Sequence, residues 1–299
     1  MKKAMIVIAG PTASGKSKLA MQIAKKFDGE IINADSRTVY KEMDIATSKP
    51  TTKDLSSVPH HLFSIISPEQ PFSLANYKKL AEKTIFEIQK RDKIPLLVGG
   101  TGLYVDAIVY DFNMAETPPD FEIRNQLNQL PTEELIAKLK ELDPDEAQKI
   151  DLKNRRKIIR AFEIIKSSNG SGTKEKTRKE KPDNVLYLAI DLPREKLYER
   201  IDKRIDEWLV AGLTEETKHL ILKYKFDLPS MSSIGYKEIS EALVGEITIN
   251  EAAKIMKKRT RNYAKRQLTW FKRNKDVVWV KNMSEAEKAI NSFFESMSS

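Results

Sequence analysis

Short apolar runs alternate, over the first hundred residues, with longer stretches in which apolar positions recur every three or four residues. "AMIVIAG" (4 to 10), "EIINADS" (30 to 36) and "IPLLVGG" (94 to 100) are of the first kind. Each is brief and closed by turn-forming residues, the signature of a buried strand. "KSKLAMQIAKKF" sets Leu19, Ala20, Ile23, Ala24 and Phe27 on one helical face, and "LANYKKLAEKTIFEIQKRDK" (74 to 93) supplies a second helix. Strands that alternate with helices imply a parallel sheet with right-handed crossovers, the doubly wound α/β class.

The pattern changes after "VYDFNMAETPPD". Pro118-Pro119 breaks the chain, and "TEELIAKLKEL" and "RRKIIRAFEIIKSS" then show helical spacing up to about residue 168. "NGSGTKEKTRKEKPDN" (169 to 184) reads as a mobile connector, after which "VLYLAIDL" (185 to 192) returns as a strand able to rejoin the first sheet. The rest is helical except "VVWV" (277 to 280), a candidate last strand. The expected architecture is a P-loop NTPase-like parallel sheet flanked by helices, formed by residues 1–115 and 183–299, with a mainly helical insertion over 116–182.

"GPTASGKS", comprising Gly10, Pro11, Thr12, Ala13, Ser14, Gly15, Lys16 and Ser17, fits G-x-x-x-x-G-K-[ST] between a strand and a helix. Such a loop turns backbone N–H groups toward phosphate oxygens, with the helix N-terminus adding positive potential. Lys16 neutralises a terminal phosphate and Ser17 helps to hold Mg²⁺. Hydrolases and kinases with this loop carry an acid at the end of a neighbouring strand. Here "IPLLVGG" ends in glycines, whereas "EIINADS" delivers Asp35 to the carboxyl end of a strand, where such folds place ligands. The plainer reading of Asp35 is a cap on the next turn. "GGTGLY" (99 to 104) reads equally as a tight turn. Arg200 and Arg204 share a helix face and either reach phosphate or pair with Asp202, Asp206 or Glu207.

Composition narrows the function. The chain of 299 residues carries a formal charge of +9 and is 32% charged, which favours a polyanionic partner. Much of that charge lies between Lys254 and Lys275, where ten Lys or Arg occur with no acidic residue and with Tyr263, Trp270 and Phe271 interspersed. A solvated helix face explains such a run less well than a track for a nucleic-acid backbone, while Trp270, at helical spacing, reads as core. The absence of cysteine excludes disulfides, thiolate metal sites and cysteine nucleophiles, and three scattered histidines give no zinc site. No apolar run approaches the roughly 20 residues of a membrane span, and "MKKAMIVIAGPT" is too short for a signal peptide, so a cytoplasmic address is expected.

"GPTASGKS", "NADSRTVY", "VGGTGLYVDAI", "NRRKIIRAFEI", "LPSMSSIGYKE" and "RTRNYAKRQLTWFKRN" stand in the order found in the tRNA dimethylallyltransferases, which this chain resembles over nearly its whole length. The resemblance implies transfer of a dimethylallyl group from dimethylallyl diphosphate to N6 of adenosine 37 in the tRNA anticodon stem-loop, by a monomer. It implies that the loop grips the diphosphate of an isoprenoid, that Asp35 is the base or an outer-shell metal ligand, and that Thr101 lies in the reaction channel. It further implies RNA contacts from Asp35, Ser36, Arg37 and Thr38 at the entrance, from Arg155, Arg156 and Arg160 in the insertion, and from Arg261, Lys265, Arg266 and Gln267. "SGTKEKTRKEK" departs from the family by being richer in lysine. Three other readings stay open: an ATP-binding kinase, an isopentenyltransferase for free adenylate, and an RNA-binding protein with the loop as a switch.

Overall fold

The structure, a computed structural model, describes residues 3–112, 120–167, 179–224 and 228–298. The Pro118-Pro119 break and most of the glycine- and lysine-rich connector, residues 168–178, lie outside the described residues. The chain divides into two compact units, Met1–Asp111 with Glu180–Ser299, and Phe112–Lys179. The second overlaps the stretch expected as an insertion from 116 to 182, and residues 180–182 fall in the first.

In the first unit, β1 (Met5–Ala9) leads into α1 (Lys16–Lys26) and β2 (Gly29–Asn33). Then follow α2 (Thr52–Ser57), β3 (His60–His61), α3 (Leu74–Lys90), β4 (Ile94–Gly99) and α4 (Gly102–Val109). The six strands, completed by β5 (Val185–Ile190) and β6 (Val278–Val280), are all parallel in the order β3-β2-β4-β1-β5-β6. Val7 of β1 pairs with Leu97 on one side and Tyr187 on the other. β1, β2 and β5 are buried at every position, and β1 and β5 accordingly read as unbroken apolar runs rather than alternations, whereas β2 buries Glu30 and Asn33 beside its two isoleucines. β3, the strand that sequence pattern did not reveal, is two residues long, too short to show a period.

Ile6, Ile8, Leu96 and Leu188 pack against Leu19, Ala20 and Ile23 of α1 and Ile290 and Phe293 of α13 (Met283–Ser298). Tyr187, between Leu186 and Leu188, points the other way and donates to Asp106 of α4 at 3.3 Å. A second core joins α9 (Arg194–Val210), α10 (Leu213–Lys223), α11 (Tyr236–Leu243) and α12 (Ile249–Lys272) to the loop after β2, through Ile201, Ile205, Trp208, Tyr236 and Met256 packed on Val39 and Met43. α12 is 24 residues long and opens with a capping box of Thr248 and Glu251.

The second unit holds α5 (Phe121–Asn128), α6 (Thr132–Leu142), α7 (Pro144–Lys149) and α8 (Arg155–Ser167) around Leu135, Leu139, Ile158 and Ile165. Its buried Glu163 accepts from Arg124, Arg160 and the Asp120 N–H. Burial pushes that carboxyl up, but the hydrogen bonds from Arg124 and Arg160 prevail and hold it below the usual range.

Candidate active site

The loop from Gly10 to Ser17 joins β1 to α1 at the carboxyl ends of the strands. α1 has no acidic residue in its first turn, so its positive end is left for an external anion. Ala13 holds φ at 62°, a conformation that non-glycine residues adopt rarely and chiefly where function demands it. Lys16 Nζ donates to the Pro11 carbonyl at 3.3 Å. Protein closes around this ammonium, and burial, with Arg204 adding to it and Asp35 opposing, lowers its pKa to about 8. Arg200 Nη1 donates to the Ser14 carbonyl at 3.1 Å. Burial, reinforced by the like charge of Arg200, lowers the Arg204 pKa too.

Of the carboxylates that sequence left as rival partners for these arginines, Asp202 and Asp206 are taken elsewhere, while Glu207 still attracts Arg204 through its charge. Asp202 lies 3.2 Å from Arg261, Asp206 2.7 Å from Lys257 and Glu207 3.9 Å from Lys203. The loop is therefore ringed by desolvated cations, an arrangement that a bound polyanion relieves. Pyrophosphate affinity is expected to fall as pH rises through about 8, because above that value binding must first protonate Lys16. Calorimetry on both sides of that pH checks this; a flat profile would remove Lys16 from the anion seat.

Asp35 reaches the same region from β2. Asn33, buried at the end of the strand, accepts from the Asp35 N–H and the Thr38 hydroxyl and donates to the Asp35 and Leu62 carbonyls. Asp35 Oδ1 accepts the Arg37 N–H at 2.9 Å. The turn-capping reading is thus correct for one oxygen, while Oδ2 has no hydrogen-bond partner among the described residues. Arg37 is fixed by the Pro229 carbonyl at 3.0 Å. Thr101 Oγ1 accepts the Ser36 N–H at 3.1 Å, so the turns after β2 and β4 are stitched side by side. That contact requires glycine at position 99, where a Cβ would stand 2.0 Å from the Ala34 carbonyl oxygen.

Sequence reasoning missed an aromatic wall. Tyr77 and Tyr104 stack with ring centroids 4.0 Å apart. The pKa values of Tyr77, Tyr104 and Tyr263 are all raised, chiefly by burial and in part by the charge of Asp35. The Tyr77 hydroxyl is buried with no hydrogen-bond partner among the described residues. These tyrosines come from three separate helices, α3, α4 and α12, with no shared spacing to betray them. The charge of Asp35 is therefore felt both by Lys16 of the phosphate loop and by these rings.

α12 sorts its cations by position. Lys257 pairs with Asp206, Arg259 with the buried Glu238 and Arg261 with Asp202. Beyond them Lys265, Arg266 and Lys272 are exposed and form no ion pair among the described residues. Lys265 and Lys272 line a cleft of about 180 Å³ with Arg194, Tyr198, Leu268 and Thr269. Trp270 corrects the expectation of core: it is 41% exposed, and its indole N–H donates to Asp106 at 2.9 Å. Gln267, expected to touch RNA, is buried against the phosphate loop instead. In the second unit Arg155 is engaged by Thr132 Oγ1 and the Leu127 and Leu130 carbonyls, and Arg160 by Glu163, whereas Arg156 is exposed.

Among the described residues no helix is long and apolar enough to cross a membrane, and no group of three or more His, Cys, Asp or Glu forms a metal cage. Known proteins resemble this chain over most of its length. The sequence model of the IPP transferase family matches residues 38–274. A tRNA dimethylallyltransferase from Acetivibrio thermocellus is 43% identical over 92% of this chain and 91% of its own, and one from Halalkalibacterium halodurans is 40% identical over 93% and 91%. Among solved structures, the tRNA isopentenylpyrophosphate transferase of Bacillus halodurans superposes with a TM-score of 0.76 at 37% identity, covering 99% of this chain and 98% of that one. A eukaryotic dimethylallyltransferase acting on tRNA gives 0.80 at 28% identity, covering 99% and 80%. Likeness of this extent, falling on a chain whose Asp35 charge already acts on Lys16 of the phosphate loop, makes the chain a member of the IPP transferase family, and so a transferase.

Proposed function

We propose that the chain transfers a dimethylallyl group from dimethylallyl diphosphate to N6 of adenosine 37 in the tRNA anticodon loop, releasing diphosphate. The observation that carries this is one carboxylate oxygen of Asp35 with no hydrogen-bond partner among the described residues, on a side chain whose charge acts on Lys16 of the phosphate loop. A C–O bond to the diphosphate breaks as the N6–C bond forms, and the proton lost by the amine passes to Asp35 Oδ2. The adenine amine is a weak nucleophile, so a base that takes its proton during attack lowers the barrier. The leaving diphosphate gathers negative charge, which Lys16, Arg200, Arg204 and the loop N–H groups meet without reorganising. The glycines that end β4 offer no carboxylate, and this reaction needs none there, since no water has to be ordered for attack.

Mg²⁺ fits this donor set. Hard cations that keep several waters need few protein ligands, and the exposed Ser17 hydroxyl beside the loop with the substrate's own oxygens meets that need. Bound there, the ion would neutralise further leaving-group charge. Adenosine 37 must leave its stack to reach Asp35, and Thr101, Ser36 and Arg37 stand where the extruded base enters. We read the working unit as a single cytoplasmic chain.

The direct test incubates protein, Mg²⁺, dimethylallyl diphosphate and unmodified tRNA with adenosines at 36 and 37, then seeks by mass spectrometry an adenosine heavier by one dimethylallyl group. Its appearance without ATP supports the reading; unmodified adenosine with ATP consumed would favour a kinase. For the RNA side, replacing both Lys265 and Arg266 with alanine should weaken tRNA binding for all sequences and reduce the salt slope by about 2, one for each cation. An unchanged slope in a salt titration would take α12 off the RNA surface.

A further inference from the structure

Gln267 follows two exposed cations on α12, yet it is only 5% exposed itself. Its Oε1 accepts the Thr12 N–H at 2.9 Å and its Nε2 donates to the Gly100 carbonyl at 2.7 Å. Three segments meet at this one amide: the phosphate loop, the turn after β4 and α12. A side-chain amide suits the position because it presents an acceptor at one end and donors at the other. The fit is close from the turn side too, since a Cβ at position 100 would stand 2.3 Å from Nε2 and 3.2 Å from the Gly10 carbonyl oxygen.

We propose that Gln267 is a positioning residue for the transfer, holding the Thr12 end of the phosphate loop at a fixed distance from the turn that presents Thr101. Gly100 is followed directly by Thr101, whose hydroxyl accepts from Ser36 beside Asp35. One amide therefore ties the seat of the leaving group to the turn against which the nucleophile and base are aligned. Displacement of either turn by about 1 Å is enough to cost on the order of 100-fold in rate. The proposal rests on reading the loop as a diphosphate seat.

The test uses Gln267→Met, which keeps the volume and removes both hydrogen bonds, and Gly100→Ala, whose Cβ displaces the amide while Gln267 remains. Inorganic pyrophosphate affinity is measured by calorimetry, tRNA affinity by filter binding, and transfer by steady-state kinetics. Both variants should bind pyrophosphate more weakly and lose about 100-fold in kcat/KM for the donor, with tRNA affinity and KM for tRNA unchanged. A fault of general folding would move all of these together. Wild-type donor parameters in either folded variant would overturn the proposal, as would lost tRNA affinity with the donor KM intact, which would return Gln267 to the RNA surface. In the wild type, slow hydrogen exchange at the Thr12 amide without added pyrophosphate supports the proposal and fast exchange overturns it, whether or not the variants fold. A wild-type protein with no pyrophosphate affinity overturns the diphosphate reading and this proposal together.

Discussion

Asp35→Asn is expected to lower the transfer rate by about 10²- to 10⁴-fold, the usual contribution of a general base, while pyrophosphate still binds. Asparagine is the informative replacement because Asp35 has two duties. Its Oδ1 accepts the Arg37 N–H and shapes the turn, and an asparagine oxygen can do the same. Only the ability of the second oxygen to take a proton is lost. Asp35→Ala removes both duties and should be worse, with tRNA affinity falling as Arg37 loses its anchor. Single-turnover transfer, measured beside pyrophosphate calorimetry, separates the two effects. Near-normal turnover in Asp35→Asn would end the base assignment.

Lys16→Ala should abolish measurable pyrophosphate binding and reduce transfer by about 10²- to 10³-fold, the scale for removing one preorganised charge from a developing oxyanion. It should not lower the melting temperature. The ammonium is desolvated in the folded chain, with its pKa brought to about 8, so its charged form opposes folding at neutral pH. Removing it relieves that cost, the pattern expected of a group kept for function at the expense of stability. Thermal unfolding of the variant beside the wild type checks the sign, and a lower midpoint would mean that Lys16 supports the loop structurally.

The legible parts of the sequence were those governed by local rules. Buried parallel strands are rich in apolar residues, so β1, β4 and β5 and the shorter apolar stretch of β2 stood out, and the phosphate loop carried its meaning in its spacing. Asp35 was placed by its position at a strand end, although sequence could not show that its two oxygens divide the work. The losses came from side chains whose role is set by partners far along the chain. Gln267 lies in a basic helix and looked like one more RNA contact; its partners, Thr12 and Gly100, are reachable only through the fold. Arg155 likewise belongs to a basic cluster but is engaged by carbonyls of a preceding turn. Asn33 and the stacked Tyr77 and Tyr104 have no periodic relation to anything they touch.

The strand order carries a consequence for synthesis. β1 lies near the middle of the sheet, yet its neighbour on one side, β5, begins at Val185. While the ribosome makes the residues between, Met5–Ala9 presents an unpaired apolar edge, the kind of surface that templates misassociation. A separate helical core completed in the meantime, around Leu135 and Ile158, shortens the floppy stretch that must close and so eases the late arrival of β5. Truncated chains ending before residue 185 should thus be aggregation-prone, and the enzyme should depend on chaperones during translation more than after release.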